Sequence, residues 1–177
     1  KFYFLKRICI QCINYKNVER DAKKIIEYLR KRTDLPISLS IQPLSLEEIH
    51  KFKLLGLNKI CFPLDATTPE IFNLVKGKLV DSRYKFENNF KSLKDAVSIF
   101  GKFNVTTHLI IGLGETEEEA IKFLVKMRDE GIYVGLFAFT PIKGTALENL
   151  KPPEIKKYRI IQLIHYLIYR TNLTLDN

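Results

Sequence analysis

The chain has 177 residues, is 46% hydrophobic and carries a formal net charge of +9 at pH 7. No apolar run approaches the roughly 18 residues that cross a bilayer; the longest, near Ile160–Tyr169, is broken by Gln162 and His165. Three cysteines make no disulfide framework, which points to a reducing cytoplasm, and the length suits a single domain over residues 1–177.

Strand and helix signals alternate along the chain. Phe2–Ile10 reads as a strand. In Asp21–Arg30, Ala22, Ile25, Ile26 and Leu29 recur at helical spacing. Pro36–Gln42 alternates apolar and polar residues as a second strand. Ser45 and Glu48 form the pattern of a capping box for a helix ending near Gly56. Lys59–Asp65 is a third strand, and Thr68-Pro69-Glu70 opens another helix with proline in its first turn. Leu93, Ala96, Val97 and Phe100 mark a helix ending at Gly101, and Val105–Gly112 is a fourth strand. Thr116 and Glu119 form a second capping-box pattern, ahead of a stripe of Ala120, Phe123, Leu124 and Met127 that ends at Gly131. Ile132–Phe139 is a fifth strand, and Pro153–Arg170 is a long helix, apolar nearly all round and so expected to be buried on two sides.

Five strands each followed by helix predict an α/β fold with a parallel sheet and right-handed crossovers. With no sign of a reversal in strand order, a barrel-like curl is expected rather than a doubly wound sheet. A closed eight-fold barrel needs about 250 residues, so a partial barrel is predicted. Lys1 in place of methionine, inside a strand pattern, and the ending Thr174–Asn177 suggest a piece of a longer chain or a product trimmed at both ends.

In such folds the loops after the strands open onto the ligand face. The strand ends offer Cys9, Gln11 and Cys12; Ser38, Ser40 and Gln42; Asp65; Gly112, Gly114 and Glu115; and Thr140, Lys143 and Thr145. Asp65 could accept hydrogen bonds from ribose hydroxyls or cap the helix beginning near Pro69, where Thr67 or Thr68 would serve as well. Glu115 could face a ligand or place charge at a helix N-terminus. Cys9 and Cys12 have C-x-x-C spacing, but residues three apart on a strand point to opposite faces, a poor chelate. His108, in mid-strand, reads as a core histidine, and His50 and His165 as structural or surface residues. The lysines are spread along the chain rather than gathered in a stripe, so neither nucleic acid nor membrane is an expected partner.

The order of these residues resembles the radical S-adenosylmethionine superfamily, and within it the biotin synthase-like branch. The segments that carry the likeness are Arg7-Ile8-Cys9 through Tyr15–Asp21, Leu64-Asp65-Ala66-Thr67 with Pro69, Glu70 and Phe72, Ile110–Thr116, and Lys143–Leu147. The resemblance implies a partial (β/α)6 TIM-like barrel lacking its first β/α unit, holding S-adenosylmethionine against a [4Fe-4S] cluster that generates a 5′-deoxyadenosyl radical for hydrogen abstraction. By match, Asp65 would hold the ribose, Ile110, Gly112 and Glu115 would wall the adenosyl group, Thr140 and Ile142 would flank adenine, and Gln11 and Cys12 would meet the methionine part. Ser38, Gln42, Lys143 and Thr145 are candidate substrate contacts. The cluster motif C-x3-C-x2-C is absent from the chain, so cluster ligands are expected upstream of Lys1 and no metal ligand within it. Biotin synthases place three barrel cysteines on an auxiliary [2Fe-2S] cluster; here Cys9 matches one, while Ser38 and Thr106 take the other places. Cys61 and Pro63 stand where asparagines precede the ribose aspartate, and His108 stands where a glycine opens the fifth-strand motif. These departures argue against biotin formation. They favour another aliphatic substrate, small or carrier-protein-bound, of lipoyl type as in the archaeal two-protein lipoyl synthases, with a second radical S-adenosylmethionine protein or a sulfur donor as partner. The competing expectation is a cluster-less barrel fragment that binds an adenosyl ligand or a partner without chemistry.

Overall fold

The structure is a computed structural model and describes residues 5–171. The start of the first predicted strand, at Phe2–Phe4, and the ending at Thr174–Asn177 lie outside the described residues. Five strands, β1 (Ile8–Gln11), β2 (Ile37–Ser40), β3 (Lys59–Cys61), β4 (Val105–Ile111) and β5 (Ile132–Ala138), form one parallel sheet in the order of the chain. Helices α1 (Val18–Arg30), α2 (Leu46–Leu54), α3 (Pro69–Val75), α4 (Phe86–Phe100) and α5 (Glu117–Asp129) make the connections, and α6 (Ile155–Thr171) follows β5. This is the architecture of a partial TIM-like barrel.

The sheet has two unlike faces because side chains alternate along a strand. Ile37, Leu39, Ile60, Val105, Leu109 and Val134 are buried against the helices, with Phe52 and Phe72 between them. The alternate positions carry Cys9, Gln11, Ser38, Cys61, Thr106 and His108, which line the other face. Three of the expected strands run close to their predicted bounds, while the first, expected at Phe2–Ile10, is Ile8–Gln11, with residues 5–7 outside it. The third is shorter than Lys59–Asp65: its ladder stops at Cys61 and resumes as a single bridge from Asp65 to Leu109. Pro63 lies in the gap, and proline has no N–H for a ladder.

Helix starts follow the capping chemistry. Thr116 and Glu119 form a complete, reciprocal box at α5. At α2 only half the box forms: Ser45 accepts from the Glu48 amide, but the Glu48 carboxylate is drawn to Lys23 of α1 and to Lys51. Proline at N1 and the Thr68 hydroxyl start α3.

Helix α6 departs from its expected burial on two sides. Ile161 and Ile168 are buried, whereas Ile155, Leu163 and Tyr166 are exposed. The helix begins two residues later than predicted, after Pro153, and runs along the outer edge of β5. Three of its side chains hold successive outward carbonyls of that strand. Tyr158 donates to Leu136 O at 3.3 Å, Tyr169 donates to Ile132 O at 2.8 Å, and His165 Nε2 lies 2.8 Å from Val134 O. An edge strand exposes a row of unpaired carbonyls that invites another strand; here helix-borne donors occupy them. The bond to Val134 requires the Nε2–H tautomer of His165.

Burial holds the His165 pKa below its ordinary value of 6.5, opposed in part by its carbonyl bond. A histidine with a depressed folded-state pKa takes up its proton more readily when unfolded. Its contribution is therefore complete above the unfolded value and lost as pH falls below it. The melting temperature is expected to fall between about pH 7 and pH 5, where imidazoles titrate, and to fall less steeply in His165→Gln. Tyr169→Phe is expected to lower stability by about 1 kcal/mol at any pH in that range. Thermal melts followed by circular dichroism check both.

Candidate functional site

The site lies on the face of the sheet turned away from the helices. Its geometry begins with the irregular exit of β3. Thr107, fully buried on β4, donates to Phe62 O at 2.8 Å and accepts from Leu64 N at 3.0 Å. One hydroxyl thus replaces the ladder bonds that the chain forgoes around Pro63. Asp65 returns to the sheet, its amide donating to His108 O at 2.9 Å and its carbonyl accepting from Ile110 N at 3.0 Å. Its φ of 69° is left-handed, a conformation that aspartate tolerates better than most side chains. The expected alternative, Asp65 as the cap of α3, does not form: the Thr68 hydroxyl accepts from Ile71 N at 3.3 Å.

The Asp65 carboxylate is fixed from one side. Lys76, just past α3, donates to Asp65 Oδ2 at 2.8 Å and to Pro63 O at 2.6 Å. The other oxygen, Oδ1, faces His108, with Nδ1 at 3.9 Å. On its far side His108 Nε2 lies 3.4 Å from Cys61 Sγ. Burial lowers the His108 pKa and raises that of the Cys61 thiol, so neutral forms of both prevail at neutral pH. The imidazole also meets the edge of the Phe137 ring, with centroids 5.0 Å apart. Gly135, its register partner on β5, leaves the space beside the ring open.

Asp65, His108, Ile110, Phe137 and Thr140, with Gln11 across from them, line a cavity of about 510 Å³ at the C-terminal ends of the strands. A second, deeper cavity of about 190 Å³ runs down the same face past Cys61, Ser40, Ser38 and Cys9. Gln11 and His108 line both, so the two form one trough.

Of the predicted site residues, Gln11, Asp65, Ile110 and Thr140 come together in the upper cavity, and Ser38 lies in the lower one. Cys12 follows β1, with its amide on Ser40 O and its thiol half-buried, its pKa raised by that burial. Ile142, Lys143 and Thr145 sit on the exposed loop after β5, where Thr145 Oγ1 donates to Ile142 O at 2.7 Å. Gln42 lines a different cavity of about 630 Å³ with Tyr15 and Tyr84, and its buried Oε1 has no hydrogen-bond partner.

The Gly112–Glu115 turn is held from within. The Glu115 carboxylate is buried and accepts from Gly112 N at 2.8 Å and Leu113 N at 2.9 Å, while Lys157 of α6 donates to its backbone carbonyl at 3.0 Å. Glu115 therefore shapes the turn, and its two carboxylate oxygens are engaged there. Gly112 has φ 105°, and a Cβ would lie 2.7 Å from Pro153 Cδ, so only glycine lets α6 approach this turn.

His108, Phe137 and Lys76 escaped the sequence reading. His108 carried a signal, since it stands two residues before Ile110 on the same strand and so shares its face. Lys76 carried none, because its position depends on how the chain leaves α3. Among the described residues, no three His, Cys, Asp or Glu side chains converge to hold a metal ion.

Comparison with known proteins bears on this arrangement. The biotin synthase of Clostridium acetobutylicum is 28% identical over 160 residues, covering 86% of this chain and 46% of that protein. The chain thus spans about half the length of the curated relatives it matches. No family model matches it. Among solved structures, HydG, a maturase of the [FeFe]-hydrogenase, aligns over 92% of this chain and 39% of its own, with TM-score 0.73 and 9% identity. HemN of Escherichia coli, a coproporphyrinogen III oxidase and radical S-adenosylmethionine enzyme, aligns over 87% and 37% with TM-score 0.62 and 18% identity. These likenesses in sequence and fold support a radical S-adenosylmethionine, biotin synthase-like fragment. The trough mixes two chemistries. Cys9 pairs with Ser38 and Cys61 with Thr106 across the strands, so thiols and hydroxyls share its floor.

Because Thr107 satisfies two buried backbone groups, Thr107→Val is expected to lower stability by about 2 kcal/mol or more. Thr107→Ser is expected to restore most of that loss. Urea denaturation of the two variants checks the assignment.

Proposed function

We propose that the upper cavity holds the adenosyl part of S-adenosylmethionine, in an enzyme that abstracts hydrogen from an aliphatic substrate. The observation that carries this reading is the Asp65 carboxylate: Lys76 fixes Oδ2 and leaves Oδ1 directed into a cavity at the strand ends. A carboxylate so placed can accept both hydroxyls of a ribose. Ile110 and Phe137 offer apolar surface to a purine, Thr140 a hydroxyl beside it, and Gln11 an amide across the cavity. The cavity volume is within the range of small-molecule sites.

Bound against a [4Fe-4S] cluster, S-adenosylmethionine supplies a 5′-deoxyadenosyl radical, the hydrogen-abstracting agent. The described residues do not fit the cluster. Cys9 is exposed on β1, Cys12 lies past its end and Cys61 is buried on β3, two strands away. The cluster ligands in this reading come from other residues of the protein. We extend the reading to a lipoyl-type substrate, small or carrier-bound. Cys9 is the one thiol among Cys9, Ser38 and Thr106, and with Cys61 the trough holds two, too few sulfur ligands for an auxiliary cluster. Sulfur would then come from a partner, either a second radical S-adenosylmethionine protein or another sulfur donor.

In full-length, cluster-loaded protein, Asp65→Ala is expected to weaken S-adenosylmethionine binding about ten- to a hundredfold, the loss of a charge-assisted contact worth about 1.5–3 kcal/mol. Calorimetry reads this directly; unchanged affinity with a lowered melting temperature would leave Asp65 a structural residue. The 177-residue chain alone is expected to purify colourless and to bind no stoichiometric iron after anaerobic reconstitution. A [2Fe-2S] Mössbauer signal that disappears in Cys9→Ser would restore biotin-type chemistry.

A further inference from the structure

The lower end of the trough carries two cations, Arg7 and Lys59. Arg7 precedes β1 by one residue and donates from Nη1 to Ser38 Oγ at 3.0 Å. Lys59 opens β3 in register with Ser38 and donates to Phe103 O at 3.0 Å. Among the described residues neither Arg7 nor Lys59 forms an ion pair with a carboxylate, although most other part-buried cations here do. Both side chains are half-buried at the N-terminal end of the same face that carries Asp65 at its other end.

We infer that Arg7, Lys59 and Ser38 form an oxyanion seat at the floor of the trough, which takes the carboxylate of an extended, otherwise apolar ligand. Two like charges brought together and partly removed from water are unfavourable unless an anion joins them. Burial and the neighbouring guanidinium both hold the Lys59 pKa below its ordinary value, a strain that an anion would relieve. Arg7 can offer its remaining N–H groups, Lys59 its ammonium protons, and Ser38 its own hydroxyl proton, since its oxygen already accepts from Arg7. Cys9 lies level with the seat, and above it the walls are small and weakly polar: Ser40, Cys61 and Thr106. They leave a narrow channel that fits a chain better than a second charged group. Gln11 and His108 join that channel to the upper cavity, so the far end of a seated ligand would approach Asp65 and Ile110. The seat rests on the reading of this face as the ligand site, but the anion itself is recognised by residues that the adenosyl assignment does not use.

The test is titration of the full chain with hexanoate, hexanol and inorganic phosphate, followed by amide chemical shifts. Saturable hexanoate binding is expected, with the largest shifts at Arg7, Ser38 and Lys59. Arg7→Gln and Lys59→Gln are each expected to weaken it about tenfold or more, as loss of a charge-assisted bond predicts. Hexanoate bound equally by both variants overturns the seat. Hexanol bound as tightly as hexanoate by the wild type also overturns it, even if a variant fails to fold. Phosphate bound as tightly as hexanoate overturns the carboxylate-ended assignment and leaves a bare anion site. S-adenosylmethionine is titrated into the same samples of full-length, cluster-loaded protein and followed at Asp65 and Ile110. Hexanoate failure with intact adenosyl binding condemns the seat alone, and the reverse condemns only the proposed function.

Discussion

Thr107 sits under the site with no exposed surface, and its hydroxyl makes two bonds that the sheet would otherwise lack. A parallel sheet has no spare partners: each strand's amides and carbonyls are committed to its neighbours. A strand that must place an aspartate off the regular pleat has to break its ladder, and each broken bond leaves a buried polar group that is expensive to desolvate. The hydroxyl supplies both partners at once. The chain can then pass Pro63, adopt a left-handed residue at Asp65 and rejoin β4 at Leu109. The carboxylate's position, the Lys76 clamp and the upper cavity all follow from that detour.

The two faces of the sheet divide the labour. The helix side is packed with aliphatic and aromatic groups, and its burial stabilises the fold. The other face is lined by small hydroxyls, thiols, an amide and an imidazole, and among the described residues no helix closes it. Sealing happens at the edge instead. Tyr158, His165 and Tyr169 of α6 occupy the outward carbonyls of β5. The same helix sends Lys157 to the Gly112–Glu115 turn, and Pro153, two residues before it, packs close to Gly112. One element therefore finishes the sheet and sets the turn beside the site.

Much of this was legible in the sequence. Period-two alternation in Pro36–Gln42, the β-rich run Val105–Gly112, helical spacing in the segments between, and caps at Thr68 and Thr116 recover the strand order and most bounds. Asp65 and Thr140 stand at strand ends, which face ligands in such folds, and Ile110 is added by the family resemblance. What was not legible depends on distant partners. The Glu48 half of the capping box is lost because Lys23, 25 residues away, competes for the carboxylate. Glu115 reads as a ligand residue or a helix-end charge, but the two amides it accepts turn it inward, and nothing in G-L-G-E announces that. The apolar circumference of α6 predicts burial, yet three of its ring side chains serve as polar donors to a strand edge. Tyrosine and histidine have an apolar body and a polar tip, and hydropathy alone cannot say which end matters.

Charge is graded along the trough. At the strand C-termini Asp65 presents a carboxylate oxygen; at their N-termini Arg7 and Lys59 present cations with no acid among the described residues. The net charge of +9 is otherwise spread over helix surfaces, where lysines meet glutamates three or four residues away. Such exposed pairs contribute little and are screened by salt. Half-buried charges inside a cleft are screened less, so the gradient persists where the rest of the field is damped. A ligand with a neutral, hydroxyl-bearing end and an anionic end would therefore enter this cleft in one orientation only. The reverse orientation would bring the carboxylate to an aspartate that Lys76 already pairs and leave both cations uncompensated at the floor. The direction of binding is then fixed at the cationic end, where the unpaired charge lies.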